Sequence, residues 1–296
     1  MQQDSFAGLG VALVTPFLSD DSVDESALLR LLDFHIQNKT DYLVILGTTA
    51  ETPALTLEEQ HRIKNLIVNH IAGSLPIVMG LGGNNTQAVV QRLQTEDLTG
   101  VDAILSVVPY YNKPNQEGIF QHYKQIAQAS PCPVILYNVP GRTGVNMTAA
   151  TTLRLATEVE NIIAVKEASG NMEQAQEILD RKPDHFQVIC GDDALAYSMI
   201  DRGAIGVISV LANAFPLKFG AMVHRCMLGD ADAVQSIHQR FADLYQLLFA
   251  EGSPAGIKCV MQLLDKIENK LRLPLTPVSS ELSEKLRSAI LKLNAI

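Results

Sequence analysis

The chain lacks the cysteine and histidine spacing of common metal sites and disulfide frameworks. Its 4 cysteines lie far apart and include no CxxC pair, which is typical of reduced thiols in a protein core. Its 7 histidines show neither HxH nor HExxH spacing. The chain also has no P-loop and no GxSxG segment. We therefore predict no metal site and no nucleotide-binding loop.

Basic clusters and long apolar runs are missing as well. The net charge is −9 at pH 7, and no group of Lys and Arg residues is present that would bind nucleic-acid phosphates. No apolar run approaches the ~20 residues of a membrane-spanning helix. The first residues, MQQDSFAGLG, do not show the pattern of a signal peptide. We expect a cytoplasmic protein with neither a nucleic-acid nor a membrane partner.

The sequence does contain a regular alternation of short apolar runs and longer helical patterns. Apolar residues recur at helix-like spacing in residues 24–38 and 56–70. Apolar, β-branched runs that alternate with helices indicate parallel βαβ units. The eight runs are residues 10–16, 42–47, 76–80, 102–109, 133–140, 161–169, 186–191 and 204–210.

The number of these runs predicts the fold. Eight strands with intervening helices fit an α/β protein built as a (β/α)8 TIM barrel, and an open doubly wound sheet is the alternative. No strand pattern follows residue 210, so we predict a barrel over residues 1–228 and a C-terminal helical extension over residues 229–296, packed on the barrel. A proline-containing break at residues 273–277 precedes a last helix from Ser280.

Chemistry in such a barrel takes place at the carboxyl ends of the strands, and polar residues follow several of the predicted strands. Lys166 is the most informative, because it ends an otherwise apolar run. A desolvated lysine amine can attack a ketone to form an imine. The alternative is a structural lysine at the barrel mouth, solvated or paired with Glu167 or Glu51.

Residues at the neighbouring strand ends also have two interpretations each. Tyr137 is a candidate proton carrier for the amine, or a core tyrosine. Thr48 and Thr49 are candidates for binding a carboxylate, or for capping the segment that follows. Arg142 offers a planar fork for a substrate carboxylate, unless it is a solvated surface residue.

Together these segments resemble the dihydrodipicolinate synthase family of pyruvate-dependent aldolases and lyases. The resemblance extends from residue 10 to residue 275. The motifs that carry it are Gly47-Thr48-Thr49-Ala50-Glu51, Pro109-Tyr110-Tyr111-Asn112, Tyr137-Asn138-Val139-Pro140-Gly141-Arg142-Thr143-Gly144 and Val165-Lys166-Glu167-Ala168-Ser169-Gly170.

The resemblance implies a reaction: condensation of pyruvate with L-aspartate 4-semialdehyde through a lysine Schiff base, in lysine and diaminopimelate biosynthesis. No metal or organic cofactor is implied, since the protein amine supplies the electron sink. The implied catalytic residues are Lys166 as nucleophile and Tyr137 as acid–base, linked to Thr48 and Tyr111 in a proton relay. The implied substrate-binding residues are Thr49, Arg142, Gly191 and Ile208.

The resemblance also implies an assembly in which Tyr111 reaches the active site of a neighbouring subunit. The expected state is a homotetramer built as a dimer of dimers. Two alternative functions stay open: an N-acetylneuraminate-lyase-like or other sugar-acid aldolase, and a non-catalytic paralogue. Arg142 disfavours the first, because a short substrate with a carboxylate needs a local cation, whereas a sugar needs many hydroxyl partners.

The chain departs from the family pattern in two places. Ala50 stands where glycine is usual, and a left-handed backbone there would be strained for alanine by ~1–2 kcal/mol; we expect a tolerated local adjustment. In addition, Leu57, Gln60 and Ala88 occupy positions where lysine-sensitive members carry histidine and glutamate, while Asn84 and Tyr110 are kept. We therefore predict weak or absent inhibition by L-lysine.

Overall fold

A computed structural model of the protein describes residues 6–294, and within that range the side chains of residues 231–233 and 294 are not described. Its centre is a closed barrel in which every strand pairs in parallel with its neighbours in chain order, and β8 pairs with β1. The strands are β1 (Gly8–Ala12), β2 (Tyr42–Ile45), β3 (Ile77–Gly80), β4 (Ala103–Val107), β5 (Val134–Asn138), β6 (Ile162–Glu167), β7 (Gln187–Cys190) and β8 (Gly206–Ser209). The predicted (β/α)8 barrel is confirmed.

Helices follow the strands and surround the barrel. They are α1 (Glu25–Gln37), α2 (Leu57–Ile71), α3 (Thr86–Thr95), α4 (Gln116–Ala129), α5 (Pro140–Thr143), α6 (Ala149–Glu158), α7 (Met172–Arg181), α8 (Ala196–Ile200), α9 (Pro216–Met227), α10 (Ala231–Arg240), α11 (Ala242–Leu247), α12 (Ala255–Leu263) and α13 (Ser280–Asn294). Among the described residues, none of these helices has the length and apolar content that crossing a membrane requires.

Local sequence signals account for where the first helices begin. The Asp24 side chain accepts a hydrogen bond from the Ala27 backbone N–H at 2.8 Å and so caps α1. Thr56 and Glu59 form a reciprocal capping box at the start of α2. These caps satisfy backbone N–H groups that have no partner within the helix.

The barrel closes where β8 lies against β1, in a register that pairs Gly8 with Gly206. A Cβ atom on Gly206 would lie 2.1 Å from the Gly8 carbonyl oxygen, so a side chain does not fit there. The strands are buried on both faces, since one face packs inside the barrel and the other packs under the helices. This explains why the strands read as continuous apolar runs rather than as alternating patterns.

The first predicted strand, residues 10–16, is shifted in the structure to Gly8–Ala12. Just beyond it, the Leu13 backbone N–H still donates to the Val44 carbonyl of β2 at 3.0 Å, and the next residues are held by contacts with polar groups outside the strands. The Val14 backbone N–H donates to Asn213 Oδ1 at 3.1 Å, and Thr15 Oγ1 donates to the Ala50 carbonyl at 2.8 Å. The apolar character of residues 13 and 14 reflects burial in the core, which a strand and a buried loop share.

The C-terminal extension is helical, as predicted, and its last helix begins at Ser280. Helix α9 precedes it, ends at Met227 and packs against β1. Within the extension, α13 packs against both α11 and α12. The boundary between residues 228 and 229 stays a prediction.

Candidate active site

Lys166 and Tyr137 face each other at the carboxyl ends of adjacent strands. They are register partners on β6 and β5, and both side chains are almost fully buried. The Lys166 amine lies 4.4 Å from the centre of the Tyr137 ring. Only 6% of Lys166 is exposed, so the alternative of a solvated lysine at the barrel mouth does not fit the structure.

The two carboxylates that were alternative partners for Lys166 are engaged elsewhere. Glu51 forms an ion pair with Lys258 of α12. Glu167 accepts hydrogen bonds from Asn138 Nδ2, from Gln174 Nε2, and from the Ser169 backbone N–H at 2.7 Å. Its side chain is directed away from its neighbour Lys166, as alternation along a strand requires.

A cavity of about 430 Å³ opens at this end of the barrel. Five of the predicted site residues line it together: Thr48, Thr49, Tyr137, Arg142 and Lys166. Apolar wall residues from β1, β2 and β4, such as Ala12, Val44 and Leu105, exclude water from the deep part. The cavity thus combines an amine, a phenol, two hydroxyls and a guanidinium in one small volume.

Gly191 and Ile208 lie next to this group without lining the cavity. A Cβ atom at Gly191 would lie 2.6 Å from the Ala168 Cβ and 3.1 Å from both Cγ and Cε of Lys166, so a side chain there would press on both residues. Ile208 is fully buried on β8. Gly191 thus leaves room for the Lys166 stem, and Ile208 belongs to the buried apolar cluster that also contains Tyr137.

The loop after β2 carries Thr48 and Thr49 on a single turn of 3₁₀ helix, Thr48–Ala50. Thr49 is buried and Thr48 is exposed. The left-handed positions of this loop are Leu46 (φ 51°) and Glu51 (φ 55°), while Ala50 stays within the 3₁₀ turn. Alanine in place of the usual glycine therefore needs no left-handed backbone at residue 50.

Arg142 lies on the short helix α5 and is exposed at the rim of the cavity. Its Nη2 donates to the Ser253 carbonyl oxygen at 3.3 Å, which is a contact with the C-terminal extension. The remaining guanidinium N–H groups are available to a carboxylate that enters the cavity. Arg142 thus lines the same cavity as Lys166, and its role in binding a second, anionic substrate stays a prediction.

Tyr111 is the one predicted catalytic residue that points away from the cavity. It is 88% exposed and has a left-handed backbone (φ 71°), which is uncommon for a residue with a bulky side chain. Its backbone N–H donates to the Thr143 carbonyl at 3.3 Å. The expected relay of Tyr137, Thr48 and Tyr111 is thus not assembled within a single chain.

Several residues of the cavity wall were not expected as part of the active site, and two of them, Arg92 and Gln60, are long polar residues on helices. Arg92 of α3 lines it and donates from Nη2 to Gln60 Oε1 at 2.6 Å. Gln60 of α2 also lines it, and its Nε2 donates to the Leu55 carbonyl at 3.0 Å. Helical periodicity does not distinguish these positions, because Gln60 lies in the first turn of α2 and Arg92 in the last turn of α3, and both helices bury other residues against the barrel.

A second cavity, of about 690 Å³, lies at the opposite end of the barrel. It is lined by residues at the amino ends of the strands, such as Phe6, Ile163 and Ile205. Among the residues that the structure describes, neither a lysine nor any of the predicted site residues lines it. The smaller cavity is therefore the candidate active site, in agreement with the location of chemistry in this fold.

A buried carboxylate supports the wall formed by β7 and β8. Asp193 Oδ2 accepts backbone hydrogen bonds from Val210 and Leu211 at 3.1 and 2.8 Å. Burial nevertheless raises the pKa of Asp193 to about 6, since desolvation disfavours the charged form. Burial raises the pKa of the nearby Cys190 thiol as well, which makes it an unreactive core residue.

Comparison with known proteins agrees with this arrangement. The model of the dihydrodipicolinate synthetase family matches residues 5–293. The chain belongs to this family. A 4-hydroxy-tetrahydrodipicolinate synthase of Parabacteroides distasonis is 55% identical over 294 residues, which is 99% of each chain. The predicted family, the lyase class and the synthase activity are confirmed.

Solved structures of family members superpose closely on the whole chain. A dihydrodipicolinate synthase of Aquifex aeolicus is 40% identical with a TM-score of 0.94, over 98% of each chain. A chloride-inhibited dihydrodipicolinate synthase of Acinetobacter baumannii, solved with pyruvate, is 37% identical with a TM-score of 0.94, over 98% of this chain and 99% of that one. The shared fold thus includes the C-terminal extension.

Proposed function

We propose that this member of the dihydrodipicolinate synthetase family condenses pyruvate with L-aspartate 4-semialdehyde through an imine on Lys166. One observation carries the assignment of residues: a buried amine lies against the Tyr137 ring in a cavity that also holds Thr48, Thr49 and Arg142. A keto acid needs this combination, because its carbonyl must meet an amine while its carboxylate meets hydrogen-bond donors.

The reaction follows from the positions of these groups. The neutral amine of Lys166 attacks the carbonyl carbon of pyruvate, and water leaves as the imine forms. Loss of a methyl proton gives an enamine, whose carbon attacks the aldehyde of the second substrate. The amino group of that substrate then attacks the imine carbon, which closes the ring and releases the lysine amine. Tyr137 moves the protons, because its phenol can both donate and accept.

The carboxylates of the two substrates occupy different parts of the cavity. Thr48 and Thr49 hold the carboxylate of pyruvate close to the amine, and Gly191 and Ile208 border the site on the side of β7 and β8. Arg142, at the rim, binds the carboxylate of L-aspartate 4-semialdehyde. This separation lets the cavity bind pyruvate first and admit the aldehyde above it.

The proposal includes a homotetramer, a dimer of dimers, in which Tyr111 completes the site of the neighbouring subunit. The exposure of Tyr111 and its constrained backbone support this role, because an aromatic side chain held outward by its backbone is suited to an interface. Tyr111 then joins Tyr137 and Thr48 of the partner in a proton relay. A cytoplasmic location also belongs to the proposal.

A complementation experiment tests the shared site. Lys166→Ala and Tyr111→Phe are each expected to be nearly inactive. When the two chains are co-expressed, a mixed dimer holds one site with an intact Lys166 and the intact Tyr111 of the other chain, so activity should return. Mixed dimers that form, as seen by mass measurement, but stay inactive would refute a shared site.

Substrate choice is tested with pyruvate and two partners, L-aspartate 4-semialdehyde and N-acetylmannosamine, the sugar partner of an N-acetylneuraminate lyase. We expect turnover with the aldehyde alone, because Arg142 binds a carboxylate that the sugar lacks. Preference for the sugar would support the alternative aldolase activity. No turnover and no pyruvate adduct would support the non-catalytic paralogue.

A further inference from the structure

The threonine loop, defined as residues 47–54, is held in place by the C-terminal extension. Glu51 follows the two threonines and is almost fully buried, with a left-handed backbone. Within the loop, Thr52 Oγ1 donates to the Gly47 carbonyl at 2.9 Å. A carboxylate so deeply buried needs partners, and Glu51 finds them outside the barrel strands.

Both oxygens of Glu51 are bound by the extension. Lys258, a fully buried residue of α12, forms an ion pair with Oε1. The backbone N–H of Arg272 donates to Oε2 at 3.1 Å. The Lys258 amine also donates to the Lys270 carbonyl at 2.9 Å and lies 4.2 Å from the centre of the Phe17 ring.

Arg272 attaches the far end of the same loop. Its Nη1 donates to the Ala54 carbonyl at 2.8 Å, and its guanidinium carbon lies 4.5 Å from the centre of the Phe17 ring. The Ser253 carbonyl, just before α12, accepts from Arg142. Residues 253–272 therefore contact both of the groups to which the proposed function assigns substrate carboxylates, the threonine loop and Arg142.

The charge of Lys258 has a direct consequence for the threonines. Glu51 is only two residues from Thr49, so a bare carboxylate at this position would oppose the binding of an anion by the loop. Lys258 stays protonated near neutral pH, since burial lowers its pKa only to about 8 and the charge of Glu51 opposes that shift. If the Glu51–Lys258 pair only had to fill space, apolar residues of similar size could replace both side chains.

We propose that Glu51 and Lys258 are positioning residues for the pyruvate carboxylate: their ion pair fixes the threonine loop and cancels the negative charge beside Thr49. Neither residue lines the cavity, so both act through Thr48 and Thr49. The inference rests on the proposed function, because it takes pyruvate to be the ligand of this loop.

The test compares Lys258→Met, Glu51→Gln and the double variant. Lys258→Met leaves Glu51 buried without its cation, so the KM for pyruvate should rise at least about tenfold, while the KM for the aldehyde changes by less than about twofold. The double variant has neither charge and should recover most of the pyruvate affinity, because its loop faces no unpaired carboxylate. The pyruvate concentration that gives half-maximal borohydride trapping should follow the same order.

Lys285→Met is the matched control, since Lys285 belongs to the extension but forms an exposed pair with Glu281 on α13. It should leave both KM values unchanged. Three results would overturn the inference: an unchanged pyruvate KM in Lys258→Met, an equal rise in both KM values, or a double variant no better than Lys258→Met. If Lys258→Met does not fold, the double variant alone tests the inference. A large loss of pyruvate affinity in the double variant would contradict it.

Failure of the proposed function gives a different result. In that case the wild-type chain forms no borohydride adduct with pyruvate, and the inference falls with it. If the wild-type chain forms the adduct on Lys166 and Lys258→Met forms it at the same pyruvate concentration, only the positioning role is refuted.

Discussion

The Lys166 amine lies 4.4 Å from the centre of the Tyr137 ring, across a register pair of β5 and β6. The amine and the phenol are therefore fixed by hydrogen-bonded backbone on adjacent strands rather than by mobile loops. A site built on strands keeps its geometry without a ligand, which limits the reorganisation that catalysis requires.

Replacing Tyr137 with phenylalanine tests the acid–base role. The ring remains to pack against Lys166, but no hydroxyl is left to move protons, so kcat should fall by about 10²–10⁴-fold. Steady-state kinetics measure this loss, and circular dichroism checks that the fold is intact. Tyr123→Phe is the control: that hydroxyl donates to the Ser106 carbonyl in the core, so its loss should cost about 1 kcal/mol of stability but leave kcat unchanged. A fully active Tyr137→Phe variant would exclude the role.

Replacing Arg142 with glutamine should weaken the binding of L-aspartate 4-semialdehyde but not the binding of pyruvate. Without the guanidinium, kcat/KM for L-aspartate 4-semialdehyde should drop by about 100-fold, while pyruvate is still trapped on Lys166 at unchanged concentrations. The kcat/KM of Arg142→Lys for L-aspartate 4-semialdehyde should lie between the values of the wild type and Arg142→Gln, because lysine keeps the charge but lacks the planar fork. Arg154→Gln, which removes an exposed arginine that pairs with Glu117 and Glu158, should behave as wild type. A matching loss of pyruvate binding in Arg142→Gln would contradict this assignment.

Inhibition by L-lysine should be weak or absent at millimolar concentrations. Leu57 and Ala88 are exposed and apolar, and the Gln60 side chain is already bonded to Arg92 and Leu55. No carboxylate at these positions meets the amine of the inhibitor. Ala88→Glu supplies one and should increase sensitivity in the same assay. Strong inhibition of the wild-type enzyme would show that other residues bind lysine.

Asp193 should make stability depend on pH. Its pKa is raised from 3.8 to about 6 in the folded state, so this group favours the folded state below about pH 4 and ceases to do so as pH rises through about 6. The stability of Asp193→Asn relative to wild type should therefore improve from acidic to neutral pH, by about 3 kcal/mol at most. Urea unfolding at several pH values measures this difference. A stability difference between Asp193→Asn and wild type that stays constant across this pH range would contradict a raised pKa of Asp193.

The barrel and the Lys166–Tyr137 pair were predictable because both depend on local signals. Apolar runs bounded by turn residues locate parallel strands, and parallel strands that follow each other in a barrel lie side by side. A polar residue at the end of each run is then placed at the same mouth of the barrel. The shift of the first strand shows the limit, since Leu13 and Val14 are apolar and buried although they lie beyond the last residue of β1.

The contacts of the C-terminal extension were not predictable in the same way. Glu51 meets Lys258, and Arg142 meets Ser253, only because the chain returns to the barrel mouth after its last strand. Helical periodicity does not locate Lys258 either, because every residue of α12 from Ala255 to Met261 is buried, and it gives no sign of which carboxylate the lysine meets. The role of Tyr111 depends on a second chain, so neither periodicity nor the structure of one chain tests it.

Borohydride trapping of pyruvate shows which lysine forms the imine. After incubation with pyruvate and reduction, peptide mass analysis should find the adduct on Lys166 and not on Lys64 or Lys258, the other buried lysines of the described residues. Lys166→Ala should fold and carry no adduct. An adduct on another lysine, or the same adduct in Lys166→Ala, would contradict the account.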